Sequence, residues 1–488
     1  MGYLDLGLKD LHDAIINGNV SPLELVKEAL CRAHEDTNNA FEKILDEEAL
    51  KAVNELDESK KDSIFYGIPV VVKDNYSTKG IETTASSNIL NGYVPIFDAE
   101  VISKLKEAGA IIIAKTTMDE LAMGGSGTTG HLGIQTNPWN QDYAIGGSSS
   151  GSAVAISAGI VPFALGSDTG DSVRKPASHG GSVGFKPTWG RISRYGLFPF
   201  APSLDHVAYF TRNVYDAAAS LNVLAGRDEK DATSSLKPVE DYTLKLYEPL
   251  KGQKIAVIKG ILDSISDEEI KDMFLEQVEK LKAAGAEVDE VEMDHDLLLA
   301  IFPTYFIISC CEATSNNANL DGIKFGNRKP GNTYEEVMIN TRTEGFSELI
   351  KRRFVIGSYS LLRENRDELF TRAQKCRRLI VDAVNDILKD YDAIYLPASP
   401  SIAPNLKDSH NDVDKLSDEY LIADNYMAIG NFAGLPSITL PMGFKDGMPI
   451  GANLTGRAFD EVNLLSIASN IERLTGLKDM IVPKEDVL

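Results

Sequence analysis

Apolar and polar positions alternate along this chain with two different periods, and they predict helices and strands in turn. In residues 23–30, apolar side chains recur at the spacing of one helix face, which predicts an amphipathic helix. The continuous apolar run at residues 68–73 is typical of a buried strand, and Lys73 closes it. A helix over residues 98–108 and a strand at residues 110–114 follow.

The second half repeats this alternation. Ser266–Glu269 forms a capping box that predicts a helix to about Ala284, followed by a strand over residues 286–293. Residues 297–390 are predicted to be mainly helical. Further strands are predicted at residues 254–258, 393–397, 437–440 and 450–454.

This alternation favours one α/β domain over residues 1–488, with a mixed central sheet covered by helices on both faces. A prior of roughly 150 residues per domain would suggest two or three domains, but the chain shows no internal repeat. We expect covering helices in residues 1–60, a core with the candidate chemistry in residues 61–250, and a C-terminal part of the same fold in residues 251–488.

Composition and charge narrow the classes of function. The chain has 49 Lys plus Arg against 72 Asp plus Glu, a net charge of -23, which repels phosphate backbones and anionic membranes. Any nucleic acid is therefore expected to be held by a partner. We find no run of about 18 apolar residues and no signal peptide, so a cytoplasmic protein is expected. The four cysteines show no spacing typical of a metal site.

Two Gly/Ser-rich segments carry the candidate chemistry, Gly146–Ser152 and Gly166–Arg174. Serine needs a base to become a nucleophile, and no histidine lies in either segment. Lys73 is the alternative base, because burial at the end of a strand should lower its pKa. The backbone N–H groups of Thr169, Gly170, Asp171 and Ser172 are candidates for an oxyanion hole.

Together with Gly67–Asn75, these segments resemble the lysine and serine motifs of the amidase signature family. The resemblance implies an amide-hydrolysing enzyme in which Lys73 is the base, Ser148 a bridging serine in a cis peptide, and Ser172 the nucleophile. It continues through residues 186–191 and 203–205, and in weaker form over nearly the whole chain.

Several further segments resemble the A subunits of glutamyl-tRNA(Gln) amidotransferases within that family. They include Met123–Ser126, Arg191–Leu197, Glu312–Asn316 and the segment around Arg353. The resemblance implies that Ser149, Tyr305, Arg353 and Asp424 bind glutamine. A carboxylate suits an arginine and an ammonium suits an aspartate. From the residues alone, Arg353 could instead lie on a solvated helix face beside Lys351 and Arg352.

The same resemblance implies a heterotrimer that contains B and C subunits. This chain would release ammonia from glutamine and need no cofactor of its own, while the B subunit would use ATP and Mg²⁺ to activate Glu-tRNA(Gln). The choice between Glu-tRNA(Gln) and Asp-tRNA(Asn) would belong to the partners.

The sequence departs from the family pattern where Ser150 and Asp171 replace glycines, where His179 and Gly180 follow the second serine motif, and over residues 361–369. Asp171 could oppose the charge of an oxyanion, so a catalytically weakened structural subunit is one alternative. A free-standing amidase for another small amide is a second. A third is a G-x-S-x-G nucleophile elbow with Ser149 as the nucleophile.

Overall fold

A computed structural model describes residues 2–407 and 417–483 of the chain. One 11-stranded sheet runs through it, and strands β4 and β5 form a separate two-stranded sheet. The strands are β1 Phe41–Ile44, β2 Pro69–Lys73, β3 Ile111–Thr116, β4 Thr136–Asn137, β5 Asn140–Ala144, β6 Ala164–Asp168, β7 Val183–Lys186, β8 His206–Thr211, β9 Lys254–Ile258, β10 Glu287–Val291, β11 Ala393–Pro397, β12 Ser437–Lys445 and β13 Met448–Gly456.

The large sheet is mixed, with the order β1-β3-β2-β6-β8-β7-β12-β13-β11-β9-β10. β2 lies parallel to both β3 and β6, and β9 lies parallel to both β10 and β11. The remaining pairs of neighbouring strands are antiparallel. Because β2 and β6 are parallel neighbours, the residues at their carboxyl ends meet at one edge of the sheet. Lys73 and the loop that leads to Ser172 both lie at that edge.

Helices cover the sheet, and the expected single α/β domain is confirmed. They are α1 Leu8–Ile16, α2 Pro22–His34, α3 Asp46–Asn54, α4 Glu100–Glu107, α5 Ser150–Ser157, α6 Arg174–Gly180, α7 Val214–Leu224, α8 Lys259–Asp263, α9 Glu268–Ala283, α10 His295–Leu299, α11 Ile301–Asn316, α12 Tyr334–Gly345, α13 Glu348–Leu361, α14 Arg372–Asp390, α15 Asp418–Asn425, α16 Ala428–Phe432 and α17 Glu461–Thr475.

The predicted elements are present, with small shifts at their ends. The cap of α9 is one residue later than the capping box indicated, because the Asp267 side chain accepts a hydrogen bond from the Ile270 N–H. β12 and β13 extend beyond their predicted ends, to Lys445 and Gly456. The apolar segments inside the Gly/Ser-rich region form α5 and β6, all of whose residues are buried.

One helical stretch, His295–Asn319, is long and apolar enough to cross a membrane by length and composition, with a mean hydropathy of 1.7. The sequence analysis did not expect such a run. In the fold, α11 within this stretch packs against α13 and α14. This packing buries part of the stretch, 44% of its most apolar window.

A buried ion pair fixes the turn that follows Lys73. The Lys115 ammonium lies 3.0 Å from Asp74 Oδ1, with 0% and 1% of the two side chains exposed. It also donates hydrogen bonds to the Tyr76 carbonyl oxygen at 2.9 Å and the Thr83 hydroxyl at 3.0 Å. A buried charge is stable only with such partners. The pair therefore holds the loop after β2 against β3, next to the base candidate.

Replacing Lys115 with Met should lower the free energy of unfolding by about 3–5 kcal/mol, because it leaves Asp74 buried without a counter-charge. The matched control is Lys106→Met, which breaks the Lys106–Asp98 pair, where the lysine side chain is 42% exposed. That change should cost less than about 1 kcal/mol. Denaturant unfolding measures both variants, and equal losses would contradict a structural role for the buried pair.

Candidate active site

Lys73 is the last residue of β2 and lies between β3 and β6, where its side chain is fully buried. Burial lowers the pKa of this lysine to about 7, although Asp119, Asp168 and Asp205 oppose the shift. A lysine with such a pKa is partly neutral at neutral pH and can accept a proton. The position of Lys73 follows from the apolar run before it, which places the strand inside the sheet.

Three serines surround the Lys73 ammonium. Its Nζ lies 2.8 Å from Ser148 Oγ, 2.9 Å from Ser149 Oγ and 3.0 Å from Ser167 Oγ. Asn75 Nδ2 also donates to Ser167 Oγ, at 2.9 Å. Ser167 and Asn75 were not singled out from the sequence as contacts of the lysine, although both lie inside the quoted motifs. Their side chains fix the direction of the Lys73 ammonium.

Ser148 and Ser149 differ in the hydrogen bonds that their hydroxyl groups donate. Ser149 Oγ donates to the Ser167 carbonyl oxygen at 3.1 Å and accepts from the Ser167 N–H at 3.3 Å. Ser148 follows the cis peptide Gly147–Ser148. Among the residues that the structure describes, its hydroxyl accepts from Lys73 and donates to no group. The Ser148 proton is therefore free for a relay, whereas that of Ser149 is committed to the backbone.

The surroundings of Ser149 do not fit a nucleophile elbow. The preceding strand β5 belongs to the separate two-stranded sheet rather than to the central one. An elbow instead exposes its serine at the top of a central strand. Ser149 is fully buried, and its own N–H donates to the Ser172 carbonyl oxygen at 3.1 Å. Its contacts are those of a residue that joins the two serine segments.

Ser172 ends the short loop after β6, one residue before the cap of α6. It is 3% exposed. In the described part of the chain, none of the N–H groups of residues 169–172 donates a hydrogen bond. Buried or half-buried donors of this kind are normally paired. A row of free donors beside a serine hydroxyl can stabilise an oxyanion.

Buried polar contacts hold this loop in place. Arg174 Nη2 lies 2.9 Å from Asp168 Oδ1 and 2.6 Å from the Gly170 carbonyl oxygen. Burial acts to raise the pKa of Asp168, but Arg174 and its other partners more than offset this, so the pKa lies well below its usual range. Thr169 Oγ1 donates to Asp205 Oδ1 at 2.7 Å. The loop is thus preorganised by bonds at both of its ends.

Tyr305 on α11 lies directly over the loop. A Cβ atom built on Gly170 would come within 2.9 Å of two carbons of the Tyr305 ring. Glycine is required here by this close approach and not by its backbone angles, because Gly170 has no positive φ. Burial raises the pKa of Tyr305, while Arg353 opposes that rise. The tyrosine therefore stays a neutral hydroxyl donor beside the loop of residues 169–172.

Arg353 on α13 faces inward, not toward solvent as the alternative from its charged neighbours suggested. Its guanidinium lies 5.2 Å from the Phe306 ring centroid and 5.9 Å from that of Phe200. Its Nε and Nη1 atoms are buried and have no hydrogen-bond partner among the described residues. Arginine at such a place is suited to a planar anion. Arg353 is therefore available to a carboxylate.

Asp424 on α15 and Asp171 meet at one lysine that the sequence analysis did not single out. Lys175 Nζ lies 2.7 Å from Asp171 Oδ2 and 3.1 Å from Asp424 Oδ1. The signal was present in the sequence, because residues 171 and 175 stand four apart at the start of a helix. The Asp171 carboxylate, in the loop of residues 169–172, is thus paired with a cation.

The two replaced glycines introduce no backbone strain. Neither Ser150 nor Asp171 has a positive φ, so the left-handed conformation considered for Asp171 does not occur. Ser150 is the first residue of α5, and its hydroxyl donates to Gln135 Oε1 at 2.8 Å. Both substitutions are therefore compatible with the local fold.

Comparisons with known proteins match this chain over most of its length. The family model described as Amidase matches residues 24–465. The chain is 41% identical over 481 residues to the A subunit of the glutamyl-tRNA(Gln) amidotransferase of Streptococcus mutans, with 97% of each chain covered. It is 40% identical over 492 residues to the corresponding protein of Pediococcus pentosaceus, with 100% of each covered.

Solved structures show the same fold. The crystal structure of the glutamyl-tRNA(Gln) amidotransferase A subunit from Thermotoga maritima has a TM-score of 0.81 and 34% identity, and the match covers 99% of this chain and 98% of that one. The native peptide amidase from Stenotrophomonas maltophilia has a TM-score of 0.82 and 26% identity, with 99% of each chain covered. The buried lysine, the two serine segments and these full-length matches together show that the chain belongs to the amidase family.

Proposed function

We propose that this protein hydrolyses glutamine as the ammonia-supplying component of a tRNA-dependent amidotransferase. The observation that carries the choice of substrate is the Arg353 guanidinium, whose Nε and Nη1 atoms are buried without a hydrogen-bond partner among the described residues and which acts on the nearby Tyr305. An amide substrate with a carboxylate would satisfy it, whereas a small neutral amide would leave it unpaired. The similarity to A subunits of glutamyl-tRNA(Gln) amidotransferases supports the same choice.

The chemistry begins with proton transfer through Ser148. Neutral Lys73 accepts the Ser148 proton, Ser148 takes that of Ser172, and Ser172 Oγ attacks the carbon of the side-chain amide. The N–H groups of residues 169–172 donate to the oxyanion of the tetrahedral intermediate. The protonated relay returns a proton to the leaving nitrogen, so that ammonia departs and a glutamyl ester remains on Ser172.

Water then completes the cycle. The relay takes a proton from water as it attacks the ester carbonyl, and the second tetrahedral intermediate expels Ser172 Oγ, which regains its proton. Glutamate leaves. In this proposal Arg353 binds the α-carboxylate, Tyr305 lies against the amino-acid moiety, and Asp424 attracts the α-ammonium. Ser149 is also proposed to contact the substrate, and its N–H joins the two serine segments.

We further propose that the ammonia is used by a B subunit, which activates Glu-tRNA(Gln) with ATP and Mg²⁺, and that a small C subunit completes a heterotrimer. The net charge of -23 supports leaving tRNA contact to the partner. The alternative of a catalytically weakened protein is less favoured, because Asp171 is paired with Lys175.

A glutamine-derived electrophile should modify Ser172 covalently, since Ser172 is the attacking residue in the proposal. Peptide mass spectrometry of the labelled full chain identifies the modified residue. The Ser172→Ala variant should not be labelled, and its rate of ammonia release should be at least about 10³-fold lower than that of the wild type. Ser149→Ala is the matched control, because it should still label at Ser172. Labelling at Ser149 would overturn the assignment.

The rate of glutamine hydrolysis should rise with pH through about 7, the pKa to which burial lowers Lys73. Below this value the lysine is protonated and cannot accept the Ser148 proton, so the rate should fall by roughly tenfold per pH unit. The kcat/KM for glutamine, which reports the pKa values of the free enzyme, is measured from about pH 5.5 to 8.5, with circular dichroism at each pH to check folding. A flat profile in a folded protein would exclude Lys73 as the base.

Replacing Arg353 with Ala should raise the KM for glutamine by roughly 10- to 100-fold, the equivalent of about 1.5–3 kcal/mol for a hydrogen bond to a charged group. The KM for a small neutral amide should change much less. Arg352→Ala is the matched control, because Arg352 is the preceding residue and its side chain is exposed. Equal increases for both substrates would contradict a carboxylate-binding role for Arg353.

A further inference from the structure

Three charged side chains, those of Asp171, Lys175 and Asp424, form a cluster at the loop of residues 169–172 that leads to Ser172. Besides its contacts with the two carboxylates, Lys175 Nζ donates a hydrogen bond to the Asp424 carbonyl oxygen at 2.8 Å. The lysine side chain is 10% exposed, that of Asp171 20% and that of Asp424 27%. The single ammonium is thus shared between residues far apart in the chain.

The position of Asp171 makes this pairing consequential. It immediately precedes Ser172, and its own N–H belongs to the row of unpaired donors at residues 169–172. An uncompensated carboxylate there would repel the negative charge that develops on the substrate oxygen during attack. An ammonium at 2.7 Å largely cancels that field. It also gives the carboxylate a fixed direction along the first turn of α6.

We propose that Lys175 is a positioning residue of the amide-hydrolysing site, which holds the Asp171 carboxylate away from the oxyanion and neutralises it. The inference rests on the proposed reaction at Ser172 and adds a residue outside the Lys73, Ser148 and Ser172 relay. Without Lys175, position 171 would carry a free carboxylate beside the reacting oxygen. With it, the cluster keeps a net charge of one negative unit, since two carboxylates share one ammonium.

This charge balance separates an effect on the chemical step from an effect on binding. In Lys175→Gln the cluster becomes more negative, so attraction for the substrate ammonium is not lost. We expect kcat for glutamine hydrolysis to fall roughly 10- to 100-fold, a loss comparable to or smaller than that of one oxyanion donor, while KM does not rise. Lys175→Arg keeps the positive charge and should retain most of the activity. A lysine that merely supported packing would not show this pattern.

Removing the carboxylate should rescue the variant. In the double variant that combines Asp171→Asn with Lys175→Gln, the free negative charge is gone. Its kcat should be within a few-fold of the kcat of the single variant Asp171→Asn, which completes the double-mutant cycle. Lys9→Gln is the matched control, because Lys9 forms an i,i+4 pair with Asp13 on an exposed helix face. If the double variant is as slow as Lys175→Gln, or if Lys175→Gln has normal kcat, the proposal is wrong.

The pH dependence provides an independent readout. The groups that act on Asp171 are Lys175, Asp168 and Asp424, with Tyr305 above the loop, and Lys175 in turn acts on His179. Burial raises the pKa of Asp171 against the influence of Lys175, so removal of the lysine should raise it further. The ratio of kcat in Lys175→Gln to kcat in the wild type should therefore increase as pH falls, because protonation neutralises Asp171. A ratio independent of pH would contradict the charge effect.

A stability measurement separates this inference from the proposed function. All four corners of the cycle are compared by thermal unfolding of the full chain, which needs no substrate. Lys175→Gln should lower Tm, and the added Asp171→Asn should recover part of the loss, because the unpaired buried charge is removed. If the wild type releases no ammonia from glutamine, the proposed function fails, and this recovery still decides whether Lys175 compensates Asp171. Equal Tm losses in the two Lys175→Gln proteins would overturn the pairing.

Discussion

The buried ammonium of Lys73 is the constraint on which the rest of the site depends. A lysine at the surface keeps its proton at neutral pH and cannot act as a base. Here the apolar strand β2 carries the residue into the middle of an 11-stranded sheet, and burial brings its pKa to about 7. The three serine hydroxyls around its Nζ supply the polar contacts that a buried amine requires. The burial that places Lys73 in the sheet is thus also what lowers its pKa enough for it to accept a proton.

Burial of one lysine is accompanied by paired charges around it. The Asp74–Lys115 pair fixes the turn after β2, and the Asp168–Arg174 pair fixes the loop after β6. Each pair is fully buried and joins chain segments that meet at the same sheet edge. Buried pairs contribute little to net stability, but breaking one is costly, so they specify a single arrangement. Their role here is geometric, because they place the Lys73 amine and the Ser172 loop side by side.

The sequence predicted the strand and helix pattern well, because a continuous apolar run such as the one before Lys73 is compatible with few structures other than a buried strand. It also indicated Lys73, Ser148 and Ser172, which lie in compact motifs. What it missed depends on contacts between distant residues. Nothing in the apolar pattern indicates that Lys175 meets Asp424, which stands 249 positions later, or that the Arg353 guanidinium stacks on aromatic rings. The cap of α9 was displaced by one residue because Ser266 and Asp267 both satisfy capping rules, and local sequence does not separate them.

The chain also divides its chemistry between two regions of one fold. Lys73, Ser148 and Ser172 come from strands and loops of the parallel part of the sheet, whereas Tyr305, Arg353 and Asp424 come from helices α11, α13 and α15. A peptide amidase with 26% identity has the same overall fold, so the fold alone does not set the substrate. Helices can change their side chains without disturbing the sheet that lowers the Lys73 pKa. Under the proposed function, the covering helices select the amide, and the sheet edge supplies the base and the nucleophile that cleave it.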